Sequence, residues 1–253
     1  MREPFLVQGL ASLFLLLYFS TACAETDPRL DLKPTGVSVE WYQHKLDLNV
    51  TDVKTNLPGI TSAMVDSVKG QLNTTDDVKL ANVRLDYQLR PYLNVYGSIG
   101  KITDDTQVDF SKLGLGVSDL TVDSKGTAYT VGAILVGKYD RLLPSLQLMH
   151  SRIDLEGDGD DVQVNALIPA VGVQTGYGIF NTSLVYQSVK ATYSGTVSAP
   201  FIGEVPVTVD TENKDDLQVM AGWYGQLGKD LYLSTNVGLN GQKQLQLQLN
   251  KRF

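Results

Sequence analysis

From Gln244 to Asn250 apolar and polar side chains alternate at every step, with Leu245, Leu247 and Leu249 set against Gln244, Gln246 and Gln248. A period of two is the mark of a strand whose faces meet different media. The same period runs through Ala81–Leu89, where Ala81, Val83, Leu85, Tyr87 and Leu89 oppose Asn82, Arg84, Asp86 and Gln88. It recurs in Leu217–Tyr224 and Leu231–Leu239, and less regularly in Val37–Leu48, Leu93–Ile102, Thr127–Gly137, Leu143–Leu155, Val162–Thr175 and Ile179–Tyr193. The pattern predicts an all-β chain of about ten antiparallel strands, with roughly 8–12 compatible with it. A last strand that runs to the final residue needs neighbours on both sides, and a closed barrel supplies them.

The connections fall into two populations. Arg90-Pro91, Lys138–Leu142, Tyr177-Gly178 and Leu227–Asp230 are short, whereas Asn49–Val78, Thr103–Gly126 and Gly195–Lys214 are long. Short turns on one side and long loops on the other are the signature of a transmembrane β-barrel, with short periplasmic turns and longer extracellular loops. Tyr87, Tyr92, Tyr139, Tyr177, Phe180, Trp223, Tyr232 and Phe253 all fall near the short turns or a terminus, as expected of rings at a membrane interface. On this reading the Leu, Val and Ala face meets lipid. Arg84, Asp86, Gln218, Gln244, Gln246, Gln248 and Arg252 face the lumen and largely fill it. Glu40 and Arg252 are expected to pair across the seam of the first and last strands.

Composition adds a compartment. Residues 1–24 carry Arg2, an uncharged apolar run centred on Leu10–Phe19, and Ala22-Cys23-Ala24, the layout of a cleavable secretory signal. Residues 25–253 then form a single barrel domain. Cleavage removes the lone cysteine, so no disulfide is expected in the mature chain. The formal net charge of −7 argues against nucleic acid as a partner.

With this signal, hairpins such as Asn82–Ile99 turning at Arg90-Pro91, and a closing strand ending in Phe253, the chain resembles the small Gram-negative outer-membrane β-barrel proteins. The resemblance implies contact with outer-membrane lipid and lipopolysaccharide. It also implies handling by periplasmic chaperones and the barrel assembly machinery, with Phe253 as the assembly signal. Lys251 departs from the family pattern, which favours an apolar residue there. The family includes channels, adhesins, membrane-integrity proteins and some enzymes, so fold does not choose among them.

Candidate chemistry is sparse. His150-Ser151 is the best nucleophile–base pair, but neighbours on a regular strand point to opposite faces. The family's deacylases place the pair two positions apart, where this chain has Arg152. Asp104-Asp105 and Asp215-Asp216 lie near a rim. Asp154, Glu156, Asp158, Asp160 and Asp161 around Gly157 and Gly159 form an acidic loop that resembles a calcium chelator in part, yet lacks the full twelve-residue pattern. A solvated, turn-forming loop explains them better. Ile60, Ala63, Met64, Val65 and Val68 fit one face of a short helix, and Phe201–Val209 fits a hairpin above the membrane. No cofactor is expected, and the pattern fixes no oligomeric state. The leading expectation is a non-enzymatic barrel whose extracellular loops mediate surface interaction, adhesion or envelope integrity. A narrow porin-like channel comes second and a rim hydrolase third.

Overall fold

In the computed structural model, which describes residues 33–55, 72–111, 118–156, 162–199, 203–240 and 243–253, eleven antiparallel strands form one closed sheet. They are β1 (Thr35–Thr55), β2 (Asn73–Arg90), β3 (Leu93–Asp109), β4 (Leu120–Val136), β5 (Leu142–Leu155) and β6 (Val162–Thr175). β7 (Gly178–Ala199), β8 (Gly203–Asn213), β9 (Leu217–Gly228), β10 (Leu231–Gly238) and β11 (Gln244–Arg252) complete it. The ring closes where β11 pairs with β1, from Gly36 opposite Arg252 to His44 opposite Gln244. The expected signal at residues 1–24 and the expected helix at Ile60–Val68 lie outside the described residues.

Ten strands, all but β8, form the lower ring. Tight turns join them at Pro91-Tyr92, Asp140, Gly176-Tyr177 and Asp230, and both Asp140 and Asp230 adopt positive φ. Asp tolerates the left-handed region because its short side chain bonds locally. The outward residues are apolar: Val83 and Leu85, Ile99, Val131, Leu148, Val171, Leu184, Leu247 and Leu249 are all exposed on this wall. Many of their inward neighbours are polar, among them Asn82, Arg84, Asp86, Ser98, Thr130, Gln147, Ser183, Gln246 and Gln248, alongside glycines and the apolar Met149, Ala170 and Val185. Water cannot stabilise such an outer surface, but acyl chains can, and among the described residues the ten strands of the lower ring are paired on both sides. The chain is a closed antiparallel transmembrane β-barrel.

The long connections are shorter than the sequence suggests, because strands β1, β2, β3, β4 and β7 continue upward past the apolar wall. Here the alternation persists while its meaning reverses. On β1 the inward face runs Ser38, Glu40, Tyr42, His44 and then Leu46, Leu48 and Val50. Its outward face runs Val37, Val39 and Trp41, then Lys45, Asp47 and Asn49. Above roughly Gln43 the sheet is an ordinary soluble one, dry inside and wet outside.

The ring also narrows. β9, β10 and β11 stop at that height, and β8 replaces all three: it pairs with upper β7 through Lys190–Ala199 and with upper β1 through Leu48–Thr55. The expected hairpin above the membrane is therefore β7–β8. β7 in turn meets the start of β4, where the Ser118 amide donates to the Ser198 carbonyl at 3.0 Å. At Gly195 the approach is close enough that a Cβ would strike Leu120. The upper part thus has six strands, laddered in the order β7–β8–β1–β2–β3–β4, while β4 and β7 meet through the Ser118–Ser198 bonds and side-chain contact rather than through a ladder. Expected aromatic positions mostly hold the outer wall near the turns. Tyr232 is the exception: it faces inward and stacks on Tyr224, rings 5.6 Å apart.

Candidate functional site

The lower lumen is filled by a polar network that grows from strand parity. Arg252, on β11, sits beside β1 and reaches Asp86 on β2, Nη1 to Oδ2 at 2.8 Å. Asp86 also accepts from Asn94 Nδ2 at 2.9 Å and from Asn250 Nδ2 at 3.0 Å. Asn250 and Gln248 both donate to Ser38 Oγ, at 2.6 and 3.0 Å. One level higher, Arg84 Nη1 donates to Glu40 Oε1 at 3.3 Å and the guanidinium lies 3.6 Å from the Tyr96 ring centroid. Tyr96 OH accepts from Gln147 Nε2 at 2.6 Å. Buried ions matched this way avoid the cost of an uncompensated charge.

The expected Glu40–Arg252 pair does not form. Register places Glu40 opposite Gln248, four residues from Arg252, and Arg252 opposite Gly36. Gly36 leaves room for Asp86, whose carboxylate occupies the space a Cβ there would need. The partners are therefore exchanged, Glu40 with Arg84 and Asp86 with Arg252. Gln246 accepts from Asn236 Nδ2 at 3.2 Å, whereas the buried amide atoms of Gln218 and Oε1 of Gln244 have no protein partner. All seven residues expected in the lumen lie on the inward side of their strands, with Arg84, Asp86, Gln218 and Arg252 fully buried.

Above this network, and above the apolar wall that ends on β2 at Ala81 and on β3 at Ile99, comes a layer not expected from sequence. Thr106 Oγ1 donates to Asp104 Oδ1 at 3.1 Å or to Asp76 Oδ1 at 3.4 Å, and Tyr193 OH donates to Asp104 Oδ2 at 3.3 Å. Burial, then the adjoining Asp104 carboxyl, raise Asp76 well above the ordinary carboxylate range. Asp76 is kept neutral so that the two carboxyls can share this space. The signal was present in Thr74, Asp76 and Val78, an inward face read as part of a loop.

Above the acid layer the interior of the upper strands is packed with apolar side chains, here called the roof. Val50, Leu72, Val108, Phe110, Leu120, Val197, Val205, Val207 and Val209 make one cluster, with Val108 and Val209 at 0% exposure. A second cluster, including Leu46, Leu48, Val162, Ala191 and Tyr193, joins it to the acid layer. Narrowing from ten strands to six brings opposite walls together, so side chains fill the cross-section.

The catalytic alternatives fare differently. His150 is exposed on the outer face, its Nδ1 2.9 Å from Asn165 Oδ1, while Ser151 is buried inside against Thr130 Oγ1 at 2.7 Å. The barrel wall separates them. Asp104 and Asp105 likewise take opposite faces, and Asp216 accepts from Asn213 at 2.8 Å. In the acidic loop Asp154 pairs with Arg152 at 3.0 Å and Glu156 with Lys101 at 3.4 Å; Asp158, Asp160 and Asp161 lie outside the described residues. Among the described residues no three His, Cys, Asp or Glu side chains converge as a metal site. A groove of about 480 Å3 lies on the outer surface above the apolar wall, flanked by Lys45, Asp77, Asp105 and Lys243.

No family model matches the chain, and no curated protein matches it. Among solved structures it is similar to the outer membrane protein OprG from Pseudomonas aeruginosa, with 12% identity, 88% of this chain and 98% of that chain covered, and a TM-score of 0.46. It is similar to the beta domain of the Bordetella autotransporter BrkA, with 9% identity, 87% and 100% coverage, and a TM-score of 0.44. The translocator domain of autotransporter NalP from Neisseria meningitidis gives 9% identity, 97% and 96% coverage, and a TM-score of 0.40. These are distant likenesses of shape among outer-membrane barrels; the transmembrane barrel itself stands on this chain's own strand register and its apolar outer wall.

Proposed function

We propose that the chain is a non-enzymatic integral protein of a Gram-negative outer membrane, exported by a signal cleaved near Ala24, with its activity on the surface above the membrane. Surface interaction, adhesion or envelope integrity are the roles that suit it. The observation that carries this reading is the roof. A bore packed with valine, leucine and phenylalanine has neither width nor polarity for a hydrated solute, whereas the six-stranded extension presents a rigid wet surface to the outside. The separation of His150 from Ser151 by the barrel wall supports the absence of hydrolase chemistry.

A channel lined by the Gln, Asn, Arg and Asp face is the second reading. It is favoured by the unpartnered amide atoms of Gln218 and Gln244, which leave hydrogen-bonding capacity inside the lower lumen. Planar-bilayer recording of the purified protein decides between them. The surface reading expects a silent membrane; reproducible single-channel steps would replace it with the channel.

A further inference from the structure

One arc of the turn end carries a tyrosine at every tip. Tyr92 lies between β2 and β3, Tyr139 between β4 and β5, and Tyr177 between β6 and β7, each in the turn itself rather than on a strand. The three hairpins follow one another in the sheet, so adjacent tips stand two strand spacings apart, roughly 10 Å. The rings are 40%, 65% and 87% exposed. Tyr87 and Phe180, on the outer wall, keep about half of their surface covered, as rings at a lipid interface do, whereas Tyr177 stands almost clear.

The backbone beneath each ring is fixed. Thr175 Oγ1 donates to the Gly178 carbonyl at 2.8 Å and accepts from the Tyr177 amide at 3.2 Å, and Trp223 Nε1 donates to the Tyr177 carbonyl at 2.9 Å. Tyr139 and Leu142 exchange backbone bonds of 2.8 Å. Gln88 Nε2 donates to the Arg90 and Pro91 carbonyls at 2.8 and 3.1 Å. Beside the rings stand Arg90 and Arg141, both exposed and neither in an ion pair among the described residues. The β9–β10 turn is different: no ring stands at its tip, and Asp230 there pairs with Lys33 at 2.7 Å.

We propose that this arc docks the wall polymer of the periplasm, a chain of N-acetyl amino sugars bearing carboxylated peptides. The inference rests on the membrane placement proposed above, which puts the turn end in the periplasm, and adds a contact on the side away from the cell surface. Sugar rings offer flat C–H faces that stack on tyrosine, and tyrosine supplies that area at little cost in rotamer freedom. The peptide carboxylates match a guanidinium, which offers them two parallel bonds. The ring spacing is comparable to a disaccharide, so one glycan strand spans successive tips. Tips already fixed in place lower the cost of ordering on binding. Rings held clear of the wall suit a polymer lying beneath the membrane better than headgroups packed around the barrel.

The test sediments residues 25–253, folded in phosphatidylcholine nanodiscs, with purified Gram-negative sacculi or with sacculi whose carboxyl groups have been amidated. Wild type should be captured by intact sacculi, and amidation or R90Q/R141Q should each weaken capture by about tenfold through the loss of charge-assisted bonds. Y139A/Y177A should weaken it several-fold with no change of charge. K229Q/K251Q, which removes two cations at the same end but off the arc, should leave it intact. Capture unaffected by Y139A/Y177A, or lost equally in K229Q/K251Q, would reduce the contact to net charge and overturn the platform. Phosphatidylglycerol retention, counted by native mass spectrometry, that falls in R90Q/R141Q while sacculus capture stands would give the arc to lipid headgroups instead. Heat-dependent gel mobility separates the two levels of failure. A chain without the shift of a folded barrel defeats the membrane reading and the platform with it, while a folded barrel that ignores sacculi defeats the platform alone.

Discussion

Arg252 and Asp86 lie 166 residues apart and meet at 2.8 Å in the lower lumen, their side chains only 6% and 3% exposed. The pair ties β11 to β2 across β1, beside the seam where β1 and β11 close the lower ring. Arg252 Nε also donates to the Lys33 carbonyl at 2.9 Å, which draws the entering chain into the same clamp. Replacing Arg252 by Ala leaves a buried carboxylate with amide donors alone. It should cost about 3–5 kcal/mol in urea unfolding from detergent micelles, and R252M/D86L should recover most of that loss. A single-variant loss under half a kcal/mol would show that the pair is not a clamp.

The roof gives a different kind of prediction. Leu120 is 1% exposed and packs beneath Gly195, so Leu120→Ala should cost about 2–4 kcal/mol through the cavity left behind. Combined with Val197→Ala, it should produce brief conductance events in planar bilayers that the wild type lacks. A silent double variant that is destabilised by that amount would place the barrier to solutes elsewhere in the bore.

Stability of the upper ring should depend on pH through Asp76. Its folded-state pKa is raised, by burial first and then by Asp104. The unfolded chain therefore releases this proton at a lower pH than the folded chain does. The stabilisation is complete below the ordinary carboxylate range and declines as pH rises beyond it. Urea midpoints measured from pH 5 to pH 9 should fall more for wild type than for Asp76→Asn. Parallel curves would mean that Asp76 is ionised in the folded ring.

Leu247 and Leu249 point outward on β11, both more than a third exposed. Arg at Leu247 should cost about 2–4 kcal/mol if it lies near the bilayer midplane, whereas Arg at Gln43, level with the end of the apolar wall, should cost about 1 kcal/mol or less. Equal costs at the two positions would contradict the depth assigned to the wall.

Much of this was legible in the chain. Val162–Thr175 occurs as read, the short turns fall within one residue of Arg90-Pro91 and Tyr177-Gly178, and β11 alternates as the leucines and glutamines require. The upward extensions were not legible because a reader who assigns apolar residues to the lipid side finds Lys45, Asp47 and Asn49 on the wrong face. The alternation through Leu46, Leu48 and Val50 was intact; only the medium on each side had changed. Strand β8 was visible as Val205, Val207 and Val209, but its role as a replacement for three shorter strands depends on where those strands stop. The exchange of ion partners between Glu40, Arg84, Asp86 and Arg252 depends on register, which alternation alone does not fix.

The reversal of polarity along a single strand is the claim on which the barrel and the roof both depend. Cysteines placed singly at Val39, Trp41, Gln43 and each residue from Lys45 to Val50 in the mature chain, spin-labelled in bilayers, can be probed with oxygen and a water-soluble nickel chelate. Labels at 39 and 41 should favour oxygen and those at 45, 47 and 49 nickel, with the crossing at Gln43, while 46, 48 and 50 stay shielded from both. Nickel access at 39 and 41, or at 46 and 48, would contradict the account.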